Sequence, residues 1–163
     1  MTAPTVSIRR ATPGDVPALG RLGALLVRAH HAFDPHRFIA PTPDTAEGYG
    51  DFLGTQLDDP GVLLFVATTQ SDGVIGYLYA GMEGHDWMSL RGPAGVLHDM
   101  VVDPAHRGHG TGRLLLETAL AELKARGAPM SVLSTAARNE AAQRLFARMG
   151  FRPTMIEMTR ENR

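Results

Sequence analysis

The chain runs to 163 residues, 44% of them hydrophobic, with a formal net charge of −1 and no cysteine. These figures fit a single domain, over 1–163, with a sizeable core. They give no general attraction to nucleic acid, and they exclude disulfides, thiol catalysis and thiolate metal sites.

No apolar run is long enough for a membrane-spanning helix. Met1-Thr2-Ala3-Pro4-Thr5 lacks the basic-then-apolar order of a signal peptide, so a cytoplasmic location away from membranes is expected. Val6-Ser7-Ile8-Arg9 alternates as a short first strand does. Thr12-Pro13-Gly14-Asp15 opens a helix: Thr12 caps, Pro13 suits the first turn, and Asp15 stands where a capping-box acid belongs. Val16, Leu19, Leu22 and Leu25-Leu26 keep helical spacing to about Ala29. Next, His30-His31-Ala32-Phe33-Asp34-Pro35-His36-Arg37-Phe38 gathers three histidines, an acid, an arginine and two aromatics. It reads as a metal site, as a substrate pocket, or as a helix end followed by an Asp-Pro turn. Adjacent His30 and His31 point apart on a helix, which counts against converging zinc ligands.

Thr42-Pro43-Asp44 starts a second helix, to about Leu57. Val62 to Thr68 is a buried strand, Gln70-Ser71-Asp72-Gly73 a hairpin turn, and Val74 to Met82 the partner strand. Glu83 to Pro93 is a loop between antiparallel strands and holds the only tryptophan, Trp87; it is either functional or plain surface. Val96 to Val102 is a buried strand, stopped by Pro104. Leu115, Leu116, Ala119, Leu120 and Leu123 form a core-facing helical stripe. Glu122 and Arg126 are spaced as an i,i+4 pair, and Gly127 is the C-cap. Met130 to Thr135 is a strand. Asn139 caps a helix whose Ala142, Leu145, Phe146 and Met149 face inward, and Gly150 closes it. Phe151 to about Thr159 fits one or two terminal strands. Antiparallel strands first and βαβ-like connections later predict an α/β chain with a mixed sheet and helices on both faces.

Between the strand at 96–102 and the helix from Thr111 lie Gly108, Gly110 and Gly112. They remove Cβ atoms where the backbone turns sharply or approaches a ligand. The first amides of a helix have no partner within it and carry partial positive charge, so this turn predicts an anion site of pyrophosphate size. Arg107 and Arg113 flank it and can add charge-assisted hydrogen bonds. An ATPase-type phosphate loop needs Gly-Lys-Ser/Thr, and here Gly112 is followed by Arg113-Leu114. A dinucleotide fingerprint needs a third glycine where Arg113 stands, and an acid where the next strand ends in Ser134-Thr135. Both fail.

Arg107-x-x-Gly110-x-Gly112 directly after a strand resembles the coenzyme A pyrophosphate loop of the GCN5-related N-acetyltransferase (GNAT) family. Asn139-x-x-Ala142-x-x-x-Phe146-x-x-Met149-Gly150-Phe151 resembles that family's second cofactor-contacting helix. The resemblance implies the acyl-CoA N-acyltransferase fold, a mostly antiparallel sheet with one splayed parallel strand pair that admits the pantetheine arm. It implies acetyl-CoA as co-substrate, no metal, and a primary amine of a small molecule or peptide as acceptor; homodimers are common in the family. Cofactor contacts are implied at Met100, Val101 and Val102, at Arg107, Gly108, His109, Gly110, Thr111, Gly112 and Arg113, and at Asn139 and Phe146. The family often carries tyrosine where Phe146 stands, and its hydroxyl can protonate the departing thiolate; phenylalanine cannot. Tyr77 or Tyr79 is a candidate replacement. A non-catalytic acyl-CoA-binding regulatory module of the same fold is the alternative.

Acetyl transfer to an amine needs a neutral nucleophile, although a free alkylammonium has a pKa of about 10, so a base is expected. Strict strand alternation puts His98, Met100 and Val102 on one face and Leu97, Asp99 and Val101 on the other. His98, whose imidazole titrates nearest neutrality, is the leading base. Asp99 is the rival, and Glu83, His85 and Asp86 qualify if their loop folds over the cleft.

Overall fold

The computed structural model describes residues 5–162. The chain runs through β1 (Ser7–Arg10), α1 (Val16–Phe33), α2 (Thr45–Thr55), β2 (Val62–Thr69), β3 (Gly73–Glu83), β4 (Ala94–Val102), α3 (Thr111–Ala125), β5 (Ser131–Leu133) and α4 (Glu140–Arg148). The strands form one five-stranded sheet in sequence order. Its pairings are antiparallel except β4 with β5, which is parallel.

Alternation along β2 divides the core. Leu63, Phe65 and Ala67 face α3 and pack with Leu78, Leu97, Leu115, Leu116, Ala119 and Leu123. Leu64 and Val66 face the other way, with Leu19, Leu22, Leu53, Tyr77 and Val101. Both faces are covered, so the central strands read as nearly unbroken apolar runs. Each fully buried leucine contributes about 1.5–3 kcal/mol.

The capping acid does what its position predicts. Asp15 accepts from the Thr12 amide at 2.8 Å and takes both arms of the Arg9 guanidinium at 2.7 and 2.8 Å. That pairing holds the Asp15 carboxyl down at about 2. The Glu122–Arg126 pair forms at 2.8 Å. α4 closes in a Schellman turn at Gly150 (φ 89°): the Phe151 amide reaches the Phe146 carbonyl at 3.0 Å and the Gly150 amide the Ala147 carbonyl at 3.1 Å.

Three expectations are corrected. α1 continues past Ala29 to Phe33, and the ring of His30 bonds back to the Leu26 carbonyl at 2.9 Å. No strand forms after α4 among the described residues. Residues beyond Gly150 have strand-like composition, but a strand needs a partner edge. This stretch leaves α4 for the loop after α1, where Arg37 grips Glu157 through Nε and Nη2 and His36 meets Glu161 at 3.2 Å.

The third correction bears on the site. β4 does not alternate strictly: Tyr79 opposes Asp99 while Ala80 opposes Leu97, so His98 is the extra residue of a β-bulge. Leu97, Met100 and Val102 therefore all lie against the α3-side cluster, and Val101 against the other. His98 does not share Met100's direction, and Asp99 is separated from Leu97.

Candidate active site

β4 leads into the glycine-rich turn through a short helical turn at Pro104–His106. Asp103 secures the entry: its amide bonds the Ile75 carbonyl at 2.8 Å, and its carboxylate accepts from the Ala105 amide at 3.1 Å and from Arg21 at 2.8 Å. Gly108 and Gly110 have φ of 80° and 84°. A Cβ at either would meet nothing within 4 Å, so the backbone stands open to a ligand. Gly110 is the N-cap of α3 and brings no side chain to the first amides. Beside it the Thr111 hydroxyl is buried without a hydrogen-bond partner, an arrangement that suits an incoming hydrogen-bond acceptor. Arg107 donates from Nε to the Val102 carbonyl at 2.8 Å and is otherwise exposed. Arg113 pairs with Glu117 at 2.7 Å. His109 is exposed, and Gly112 packs under Leu145, Met100 and Val102.

β4 and β5 pair only from Gly95 to Leu97 with Ser131 to Leu133, then diverge. Because the Asp103 amide faces β3, the two-residue period turns Val101 toward β3 and leaves the backbone groups of Met100 and Val102 on the open edge. The wedge is a cleft lined by Leu97, His98, Asp99, Met100, Leu133, Ser134 and Phe146. Phe146 packs edge-on to Phe151 at 6.0 Å. Asn139 uses its side-chain oxygen to cap α4, accepting from the Ala142 amide at 3.2 Å.

On the α1–α2 side of β4 the bulge builds two adjoining polar groups. His98 Nε2 lies 2.7 Å from Glu83 Oε1, and its ring lies 4.9 Å from that of Tyr79. Glu83 is itself held by Arg91 at 3.1 Å. One residue on, the Asp99 carboxylate accepts from Tyr49 at 2.6 Å and from Tyr77 at 3.1 Å. Burial pushes the Asp99 carboxyl up despite these donors, and burial likewise raises both phenols, which keeps them protonated. Tyr49 reaches Asp99 because Gly23 of α1 makes room: a Cβ there would stand 2.3 Å from the Tyr49 ring.

The remaining candidates are engaged elsewhere. Tyr77 is fully buried, with its hydroxyl on Asp99, and Tyr79 donates to Gln56 at 3.2 Å. Asp86 folds its own loop, accepting from Met88 at 2.9 Å and from the Ser89 hydroxyl at 2.7 Å, while His85 stacks on Trp87. His30 packs against Phe33 and Phe38, and His31 bonds the Phe38 carbonyl at 3.0 Å. Among the described residues no group of three or more His, Asp or Glu is placed to hold a metal ion. Sequence reasoning did not single out Tyr49; Gly20 and Gly23 on one helix and Gly50 on the next are the signal for the close approach that delivers it.

The sequence matches the Acetyltransferase (GNAT) family over residues 27–151. It is 31% identical over 101 residues to a mycothiol acetyltransferase of Nocardia farcinica (strain IFM 10152), covering 62% of this chain and 32% of that protein. The chain spans about a third of the length of this and other mycothiol acetyltransferases it matches. In fold it is similar to the tetramutant of BH1408 protein from Bacillus halodurans, with a TM-score of 0.81 and 21% identity over 96% of this chain and 99% of that one. It is also similar to a predicted acetyltransferase with acetyl-CoA from Clostridium acetobutylicum, with a TM-score of 0.73 and 16% identity over 95% and 96% of the two chains. With the mixed sheet, the β4–β5 wedge and the family match in agreement, the chain belongs to the acetyltransferase (GNAT) family.

Proposed function

We propose that this domain transfers an acetyl group from acetyl-CoA to a primary amine of a small molecule or peptide, by direct attack with both substrates bound. One observation carries the reading: the β4–β5 wedge is lined by His98, the partner of Glu83, and by Met100, whose side chain lies beside Gly112 in the first turn of α3.

The residues present fit the co-substrate. The backbone at Gly108 and Gly110 is open, and the Thr111 hydroxyl lacks a partner, so this turn would hold the diphosphate, with Arg107 and Arg113 adding charge. The open edge at Met100, with the Val102 amide, would pair with the pantetheine arm, the Val102 carbonyl being taken by Arg107, and Asn139 and Phe146 would lie along the opposite wall. Acetyl-CoA brings the activated thioester; this chain supplies position and proton handling. With its Nε2–H donating to Glu83, His98 presents Nδ1 as the proton acceptor, and Arg91 fixes Glu83 in turn. This is the base-plus-orienting-acid arrangement that holds an imidazole in one tautomer. Asp99 keeps a second carboxylate beside the cleft, where it favours the approach of a cationic amine.

The phenyl ring of Phe146 places no hydroxyl in the wedge, and this favours a second reading, an acyl-CoA-binding module without turnover. One experiment separates the two: a panel of primary amines is screened for release of free CoA, alongside calorimetric titration with acetyl-CoA. Turnover with at least one amine supports transfer. Binding without turnover across the panel supports the module, and no binding removes both.

A further inference from the structure

Asp99 keeps one oxygen unclaimed. The two phenols that bond it, Tyr49 at 2.6 Å and Tyr77 at 3.1 Å, reach the same atom, Oδ2. Among the described residues no donor reaches Oδ1. Nor is that oxygen sealed in: the buried side-chain oxygen without a partner is that of Thr111, and Asp99 lines the wedge beside His98 and Met100. The carboxylate is therefore fixed through one oxygen and offers the other to the cleft. An anion held in this way needs little further ordering when a cation arrives.

A row of rings starts at the same place. The imidazole of His98 lies 4.9 Å from the Tyr79 ring, Tyr79 lies 6.1 Å from Phe52, and Phe52 lies 6.3 Å from Tyr49. Tyr79 stands opposite Asp99 across β3 and β4. Helical spacing in α2 brings the other members. Tyr49, Phe52 and Gln56 share one face at i, i+3 and i+7, and Gln56 holds the Tyr79 hydroxyl at 3.2 Å. Tyr79 is thereby locked, whereas Phe52 stays 48% exposed. A single exposed phenylalanine is ordinary; this one continues an aromatic row that begins at the candidate base. The row carries no charge, and Glu83, the other carboxylate at this end, is engaged by Arg91 at 3.1 Å and by His98 at 2.7 Å.

Resting on the acetyl-transfer reading above, we propose that the acceptor is a monoamine whose nitrogen is carried by an aromatic group, with its ammonium on Asp99 Oδ1 and its ring against Phe52 and Tyr79. One open carboxylate oxygen then matches one charge, and ring meets ring edge-on or offset, which contributes beyond the area covered. A diamine of similar length would set its second ammonium against Phe52 and lose water there for no partner.

The test is kcat/KM from release of CoA, with 2-phenylethylamine compared against 1,4-diaminobutane. The aromatic amine should be preferred by about tenfold or more. Equal turnover, a preference for the diamine, or turnover confined to other amines overturns the inference and leaves acetyl transfer standing. Release of CoA with no amine at all removes the transfer reading and the inference together. Phe52→Ala should raise KM for 2-phenylethylamine about 5–20-fold, so that the preference collapses toward one, and Phe52→Tyr, which keeps the ring, should keep the preference. Calorimetry with acetyl-CoA checks that both variants remain folded. A preference that survives Phe52→Ala overturns Phe52 as the contact. Asp99→Asn can still accept from both phenols yet turns an amide toward the cleft, and it should raise KM for either amine about 10–100-fold; an unchanged KM overturns Asp99 as the anchor.

Discussion

Gly23→Ala is the sharpest probe of the buried network behind the site, because two arguments predict opposite signs. From helix propensity alone, alanine in a helix interior is better than glycine by about 1 kcal/mol. The packing says otherwise. The new methyl carbon would lie 2.3, 2.5 and 2.9 Å from Cδ1, Cγ and Cε1 of Tyr49, whereas carbon atoms settle at about 3.5–4.0 Å. The ring must retreat by about 1 Å, and its hydroxyl, now 2.6 Å from Asp99, loses that bond. Overpacking costs about 1–3 kcal/mol, and a lost hydrogen bond to a charged group costs about 1.5–3 kcal/mol. After the propensity gain, a net loss of about 2–4 kcal/mol is expected, which for a chain of this size lowers Tm by about 10 °C. Thermal denaturation of Gly23→Ala, Tyr49→Phe and the double variant forms a cycle. Since both changes remove one bond, the double variant should lose less than the sum by about 1.5 kcal/mol or more. A Gly23→Ala chain as stable as wild type, or strict additivity, would refute the wedged tyrosine.

Three further outcomes follow from the geometry. Gly110→Trp fills the open backbone at φ 84° and should abolish acetyl-CoA binding in calorimetry; unchanged affinity removes the diphosphate assignment. His98→Ala should lower kcat by a factor of about 100–10,000 and flatten the acidic limb of the pH–rate profile; an unaltered profile retires His98 as the base. Asp15→Asn should cost about 1–2 kcal/mol at neutral pH, discounted for the half-exposed Arg9. The Asp15 carboxyl lies at about 2 against an ordinary 3.8. Its contribution is therefore complete above 3.8 and is lost as pH falls toward 2. Urea titrations at several pH values should show the wild-type and variant curves converging in acid, and a gap that persists at pH 2 would contradict this account.

The candidate cofactor side was largely legible in the residues. Gly108, Gly110 and Gly112 before an apolar helical stripe mark a candidate anion-binding turn because the causes are local: positive φ at Gly108 and Gly110, uncapped amides, a proline stop. Asn139 reads as a cap for the same reason. The acceptor side was less legible. His98 stood out by residue type, but its direction came out wrong, because alternation assumes equal pairing and the extra residue in β4 is visible only against β3. Glu83 was one of several acids until the fold brought it to His98, and Tyr49 is marked only indirectly, by the glycines that let α1 and α2 approach.

By itself the sequence determined the kind and order of nearly every element and the place of the glycine-rich turn, since periodicity, capping and turn chemistry act within a few residues. Only the tertiary structure decided the bulge at His98, the pairing of Asp99 with Tyr49 and Tyr77, and the absence of a strand after α4. Each of these depends on a partner tens of residues away, and a strand, unlike a helix, holds none of its own hydrogen bonds until that partner arrives.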